Sequence, residues 1–195
     1  MENVRWLDER EARAWRALQF MQLRLEGELA RQLGADSGLS YPDYLVLVAL
    51  TDRPEGRMRL FELAGGLGWE KSRVSHQVSR MAARGLVTKE KCDSDRRGAF
   101  VVVTSRGRRE IDAAAPGHVA AVRRLFVDRL TPDQLDAMRD VAETVLAALD
   151  AQDFEPGETP TRPSVADDTG SALFGSDLAA IVRRRAASRG ARRGP

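Results

Sequence analysis

A mainly α-helical fold with one small β-hairpin is what the sequence predicts, and three observations carry that expectation. Apolar residues recur at helical spacing over most of residues 4–150. A β-branched run, Val101–Val102–Val103, interrupts them, and the stiff χ1 of valine disfavours helix there. A short amphipathic segment, 70–84, lies just ahead of that run with a glycine on either side, Gly68 and Gly85. Three short helices followed by a hairpin form the winged helix-turn-helix pattern.

Each element has its own signal. Residues 4–33 read as the long first helix, because Val4, Leu7, Ala14, Leu18, Met21, Leu25, Leu29 and Leu33 share one face; Gly34 and "ADSG" are expected to end it. Ser40 caps a second helix, with Pro42 in the first turn where a missing N–H does no harm. "TDRPEG" reads as a loop, and Leu60, Leu63, Ala64 and Leu67 mark a third helix. In the fourth, 70–84, Val74, Val78 and Met81 form an apolar stripe beside a polar stripe of Arg73, His76, Gln77 and Arg80. Strands at 86–91 and 99–103 follow, joined by a seven-residue charged turn. A fifth helix runs from Thr104 to about residue 128, with a kink expected at Pro116–Gly117. Thr131, Pro132 and Gln134 form a capping box for a sixth, whose apolar face is Leu135, Met138, Val141, Val145 and Leu149. From residue 151 the composition turns to Pro, Gly, Ser, Thr and acid, as in a disordered linker, and the last 13 residues hold six arginines and no acid.

Several classes of function are excluded early. No stretch approaches the roughly 18–20 consecutive apolar residues of a membrane-spanning helix, and the N-terminus lacks a signal-peptide core. A single cysteine, Cys92, cannot form an internal disulfide, so a reducing, cytoplasmic setting is expected. Two histidines and no nucleotide-binding or metal-ligand pattern point away from an enzyme and from any cofactor or metal. Asp93 and Asp95 are paired carboxylates, but they lie on a turn beside arginines, not in a cleft. Net charge is only +2, yet residues 69–109 hold 11 basic and 4 acidic side chains between acidic flanks. Such a block is the footprint of a polyanion partner or, more blandly, a solvated charged face.

The fourth helix favours the polyanion. A helix entering a DNA major groove needs an apolar side to hold it on its domain and a polar side to meet base edges. Arg73, His76 and Gln77 carry groups that can bond base edges, and Ser72, Ser75 and Ser79 are small enough to let the backbone approach. Lys71, Arg80 and Arg84 are placed for phosphates, which fix position without reading sequence.

Two stretches, "LAGGLGWEKSRVSHQVSRMAARGLV" (63–87) and "DSDRRGAFVVVTSRG" (93–107), resemble the MarR family of winged-helix transcriptional regulators. The second is similar to that family's wing signature, here Asp95, Arg97, Thr104 and Gly107. The order of elements is similar over residues 4–150. The resemblance implies a homodimer on palindromic double-stranded DNA, with residues 1–40 and 108–150 as dimerisation helices around a winged domain at 41–107. It implies one recognition helix in each of two successive major grooves. Arg97 would enter the minor groove, Asp95 would orient the wing, and Arg96 would meet phosphate or solvent. His76 stands where relatives often carry an arginine that reads a base, so an operator inferred by analogy does not transfer there.

The family also implies release by a small molecule held between the dimer helices and the winged lobe. Trp15, Leu18, Gln22, Tyr41, Tyr44 and Leu45 are the candidates for such a pocket, or else plain core and interface residues. Some relatives sense oxidants through a cysteine in the first helix, where this chain has none; Cys92 sits at a strand end instead. The arginine-rich tail is a flexible arm for phosphates or a solubilising terminus. The expectation is a sequence-specific, homodimeric DNA-binding regulator, most simply a ligand-released repressor. The alternative is a winged-helix protein-interaction module whose basic face meets an acidic partner.

Overall fold

The computed structural model describes residues 4–92 and 95–152, with side chains throughout except at 91–98, 150 and 152. In chain order the elements are α1 (Glu9–Ser37), α2 (Tyr41–Thr51), β1 (Arg57–Arg59), α3 (Leu60–Leu67), α4 (Lys71–Ala83), β2 (Val87–Cys92), β3 (Asp95–Val103), α5 (Ser105–Leu125), a 3-10 turn (Val127–Arg129) and α6 (Pro132–Gln152). The mainly helical class with a small antiparallel sheet is as the sequence predicts. The linker and tail expected beyond α6 lie outside the described residues.

Local chemistry corrects several boundaries. Helix α1 starts at Glu9 rather than at Val4, because Asp8 and Glu11 cap each other's backbone N–H groups, both at 2.8 Å. It runs through Gly34, whose missing side chain faces open space, and stops at Gly38, where φ is 66°. Ser40 and Asp43 form the cap of α2 (3.0 and 3.2 Å), with Pro42 in the first turn as expected. Helix α5 runs from its Thr104 cap to Leu125 as one α-helix, with Pro116 inside it and the 3-10 turn after it. Thr131 and Gln134 make the predicted capping box of α6.

The sheet has three strands, ordered β1-β3-β2 and all antiparallel. Strand β1 is absent from the sequence-based expectation: three residues carry too little alternation to stand out beside the "TDRPEG" turn. The seven-residue charged turn is also corrected. Strand pairing continues through a bulge at Lys91/Cys92 to a Cys92–Asp95 pair, so the two strands reach further than the valine-rich segment alone suggests.

The core lies between the sheet and the short helices. Leu33, Leu39, Leu47, Leu50, Met58, Leu63, Val74, Val78, Met81, Leu86, Val101 and Ile111 are all essentially inaccessible. Helix α5 crosses α1 at the segment expected to kink. There the Cβ of any residue replacing Gly117 would lie 3.3 Å from Gln32 Nε2 and 3.4 Å from Asp36 Oδ2, while Ala114, Ala115 and Ala121 are buried. Small residues let the two helix axes approach.

His118, one residue on, is 5 % exposed. Its ring centroid is 4.3 Å from that of Tyr44 and 6.4 Å from that of Tyr41, and its Nδ1 has no hydrogen-bond partner among the described residues. Burial lowers its pKa. The unfolded chain therefore takes up the proton first, so stability present above the ordinary value of 6.5 is lost as pH falls below it. Thermal melts from about pH 7 to about pH 5 should show a fall in midpoint that is smaller in His118→Gln; equal slopes would mean that His118 does not drive the acid loss.

Candidate nucleic-acid interface

The segment 68–86 is set at both ends by glycine. Helix α3 ends in a Schellman motif: Gly68 N–H donates to the Gly65 carbonyl (3.1 Å) and Trp69 N–H to that of Ala64 (3.0 Å). Helix α4 ends the same way, with Gly85 N–H on Ala82 (2.9 Å) and Leu86 N–H on Met81 (3.0 Å). Both glycines are left-handed, at φ 61° and 71°, which a side chain disfavours by about 1 kcal/mol or more. The motifs turn the chain sharply, so α4 is aimed by the C-cap of α3 before it and by its own C-cap.

Val74, Val78 and Met81 seat α4 on the core. The opposite face presents Lys71, Ser72, Arg73, His76, Ser79 and Arg80, all exposed, with Ser75 half-buried; the helix itself holds no acid. Lys89 on β2 joins this face, its Nζ donating to Ser79 Oγ at 2.8 Å. Trp69, packed against the core at the C-terminal side of the first glycine turn, lies beneath Arg73, whose Cζ is 4.3 Å from the ring centroid. A cation over an aromatic face is held at a gain of about 0.5–1 kcal/mol where exposed. Arg73 is thus presented along a fixed direction.

Gln77 departs from the sequence-based expectation. Its side chain is 3 % exposed and its Nε2 donates to Asp43 Oδ1 at 2.7 Å, which turns it inward, away from the exposed face of α4. Helical periodicity places Gln77 between the polar and apolar stripes; the buried Asp43 carboxylate, 34 residues away, draws it inward. Arg84 is likewise engaged, donating to Asp43 Oδ2 at 2.6 Å and to the Gly38 carbonyl at 3.2 Å.

The base of the hairpin is bonded to the end of α4. Thr104 Oγ1 donates toward the carbonyls of Gly85 (2.7 Å) and Leu86 (3.1 Å) and accepts from Gly107 N–H (3.0 Å). A Cβ on Gly107 would overlap the Leu86 carbonyl oxygen and lie 3.0 Å from Val103 Cγ2. Threonine and glycine at these two positions therefore fix where the strands leave the end of α4. The backbone of Asp95, Arg96 and Arg97 begins β3; their side chains, and that of Cys92, lie outside the described ones.

Comparison with known proteins places this geometry. Residues 37–98 match the sequence model of the MarR family. The crystal structure of Sco3205, a MarR family transcriptional regulator from Streptomyces coelicolor in complex with DNA, is 39% identical at a TM-score of 0.70. The match covers 74% of this chain and 94% of that one. The chain belongs to the MarR family. AbsC, a MarR family regulator from the same organism, is 38% identical at a TM-score of 0.70, over 76% of this chain and 99% of that one. The transcriptional regulator HosA of Escherichia coli is 33% identical over 110 residues, 55% of this chain and 78% of its own. As a MarR protein, the chain is a transcriptional regulator with a DNA-binding winged helix.

The six residues expected to line a MarR effector pocket differ in burial. Trp15, Leu18 and Gln22 are exposed on α1, while Tyr44 is buried against His118 and Tyr41 and Leu45 are half-buried on α2. An open cavity of about 430 Å³ lies between α1 and the end of α5, lined by Met21, Leu25, Phe126 and Leu130 together with Arg24, Glu28 and Arg129. Aromatic residues at helical spacing gave no means of telling packing from pocket. Among the described residues there is no cluster of side chains able to hold a metal and no helix long and apolar enough to cross a membrane.

Proposed function

We propose that this MarR protein acts in the cytoplasm as a homodimeric repressor that reads a palindromic operator and is released by a small ligand. The observation that carries the reading is the exposed, acid-free face of α4, set between glycine turns at Gly68 and Gly85 and flanked by Lys89. Arg73 and His76 are the base readers, Lys71 and Arg80 meet phosphates, and Ser72 and Ser75 give the backbone room. Arg97 at the wing reaches the minor groove, with Asp95 orienting it and Arg96 toward phosphate. The DNA-bound state of Sco3205, a relative 39% identical, supports this assignment. Arg97→Ala should weaken operator binding roughly tenfold and flatten any A·T preference next to the half-site, without changing the melting temperature. Unaltered affinity in a fluorescence-anisotropy titration would remove the wing from the mechanism.

Dimerisation is supported by apolar surface that a monomer leaves in water. None of residues 132–149 on α6 is buried; Val141, Val145, Leu146 and Leu149 are between 47% and 64% exposed. At the other end of the chain Trp6, Leu7, Trp15, Phe20 and Leu23 are exposed as well. Patches of this kind mark interfaces, and a twofold axis lets the same surface serve both copies. A charge at Val145 should oppose that burial: Val145→Asp is expected to raise the dimer dissociation constant by at least about tenfold. Sedimentation equilibrium decides it, and a variant that stays as dimeric as the native protein would place the interface elsewhere.

A further inference from the structure

One carboxylate ties four parts of the winged domain together. Asp43, in the first turn of α2, is 2 % exposed. Its Oδ1 accepts from Gln77 Nε2 (2.7 Å), and its Oδ2 accepts from Arg84 Nη1 (2.6 Å) and from the backbone N–H of Ser40 (3.0 Å). Arg84 Nη2 donates to the carbonyl of Gly38, the glycine that ends α1, at 3.2 Å. The free acceptor of Gln77, Oε1, takes a hydrogen bond from Arg80 Nη2. The contacts run from the ends of α1 and α2 to the middle and the C-terminal cap of the recognition helix, and on to one of its exposed cations.

These bonds do what the apolar contacts of α4 cannot. Burial of Val74, Val78 and Met81 holds the helix down, but the hydrophobic effect is non-directional and tolerates small rotations and slides. Hydrogen bonds to a buried carboxylate are short and strongly oriented. A donor or acceptor that loses its partner in such a site stays buried and unsatisfied, so the arrangement resists partial rearrangement.

We infer that Gln77, Asp43 and Arg84 are positioning residues of the DNA interface, fixing the rotation and axial position of α4 and holding Arg80 toward phosphate, and that Gln77 reads no base. The inference rests on α4 being the helix that enters the groove. Neither Gln77 nor Asp43 needs to touch DNA to act in this way.

The test is a double-mutant cycle on the full chain, using a duplex selected by the native protein from a random pool and a scrambled duplex of the same composition. Gln77→Met and Asp43→Asn should each lower affinity for the selected duplex roughly tenfold while leaving scrambled-duplex affinity within about twofold, since that binding depends on phosphate charge alone. The double variant should be no weaker than the weaker single one, because both break the same connection. Losses that simply add would overturn the inference, as would equal losses on the two duplexes, which indicate a shortage of folded protein. Repeating the selection with Gln77→Met gives an independent readout should Asp43→Asn fail to fold. The preferred sequence should be unchanged; a new preference at one base pair per half-site would make Gln77 a reader. A native protein that shows no preference between the two duplexes would instead remove the DNA-reading role of α4, and the positioning role with it.

Discussion

Gly107→Ala is expected to destabilise the protein by about 3 kcal/mol, and the thermal midpoint should fall by roughly 10 °C. The Cβ would overlap the carbonyl oxygen of Leu86, a backbone atom already accepting from Thr104 N–H at 3.1 Å. No side-chain rotation relieves such a clash; either α5 moves away from the end of α4 or the Schellman turn at Gly85 opens. Either movement also displaces the wing from the recognition helix, so operator affinity should drop even below the melting temperature. The contrast is Gly34→Ala on α1, where nothing lies within 4 Å of the new methyl group and helix propensity should make the change neutral or mildly stabilising. Differential scanning calorimetry of the two variants separates the cases. A Gly107→Ala protein as stable as the native one would mean that the packing of Thr104 and Gly107 against Leu86 does not set the base of the wing.

Arg73→Ala should cost about 1–3 kcal/mol of operator binding, or roughly ten- to hundredfold in affinity, and should relax preference at one base pair in each half-site. Arg73 is exposed on the acid-free face of α4 and is held over Trp69, 4.3 Å from the ring centroid. That platform supplies a graded control. Trp69→Leu keeps an apolar side chain against the core but removes the π face, and should weaken binding only about two- to fivefold, without a change in preferred sequence. If Arg73→Ala weakened selected and scrambled duplexes alike, Arg73 would be a phosphate contact and base reading would fall to His76.

The fold was legible wherever the deciding signal was local. Ser40 with Pro42, Thr131 with Gln134, and Gly68 and Gly85 each mark a boundary by chemistry confined to a few neighbours, and the structure puts caps at all of them. Helix α1 misled because Gly34 is a punctuating residue in sequence but costs a long helix only about 1 kcal/mol, whereas Asp8 and Glu11 stabilise a later start. Strand β1 escaped because its identity comes from its partner: Met58 is opposite Val101 on β3, more than forty positions away.

The recognition surface shows the same division. Its exposed cations can be read from a helical wheel, as Lys71, Arg73 and Arg80 can. Gln77 cannot, because the decision between base edge and buried carboxylate is made by Asp43 on another helix. Apolar side chains on α1 and α6 were foreseen as stripes, yet a stripe does not reveal what covers it. Leu18 is 36% exposed and Val141 64% exposed in a single copy, and a twofold partner is the simplest cover.

The most direct test of DNA reading through α4 and the wing is an equilibrium titration of two duplexes, one palindromic and selected from a random pool, the other scrambled, across about 50–200 mM salt. Two protomers should bind each selected duplex, with a preference of about a thousandfold or more over the scrambled one and a steep loss of affinity as salt rises. Equal affinity for the two duplexes at moderate salt would contradict sequence reading and would leave the basic face as a surface for some other acidic partner.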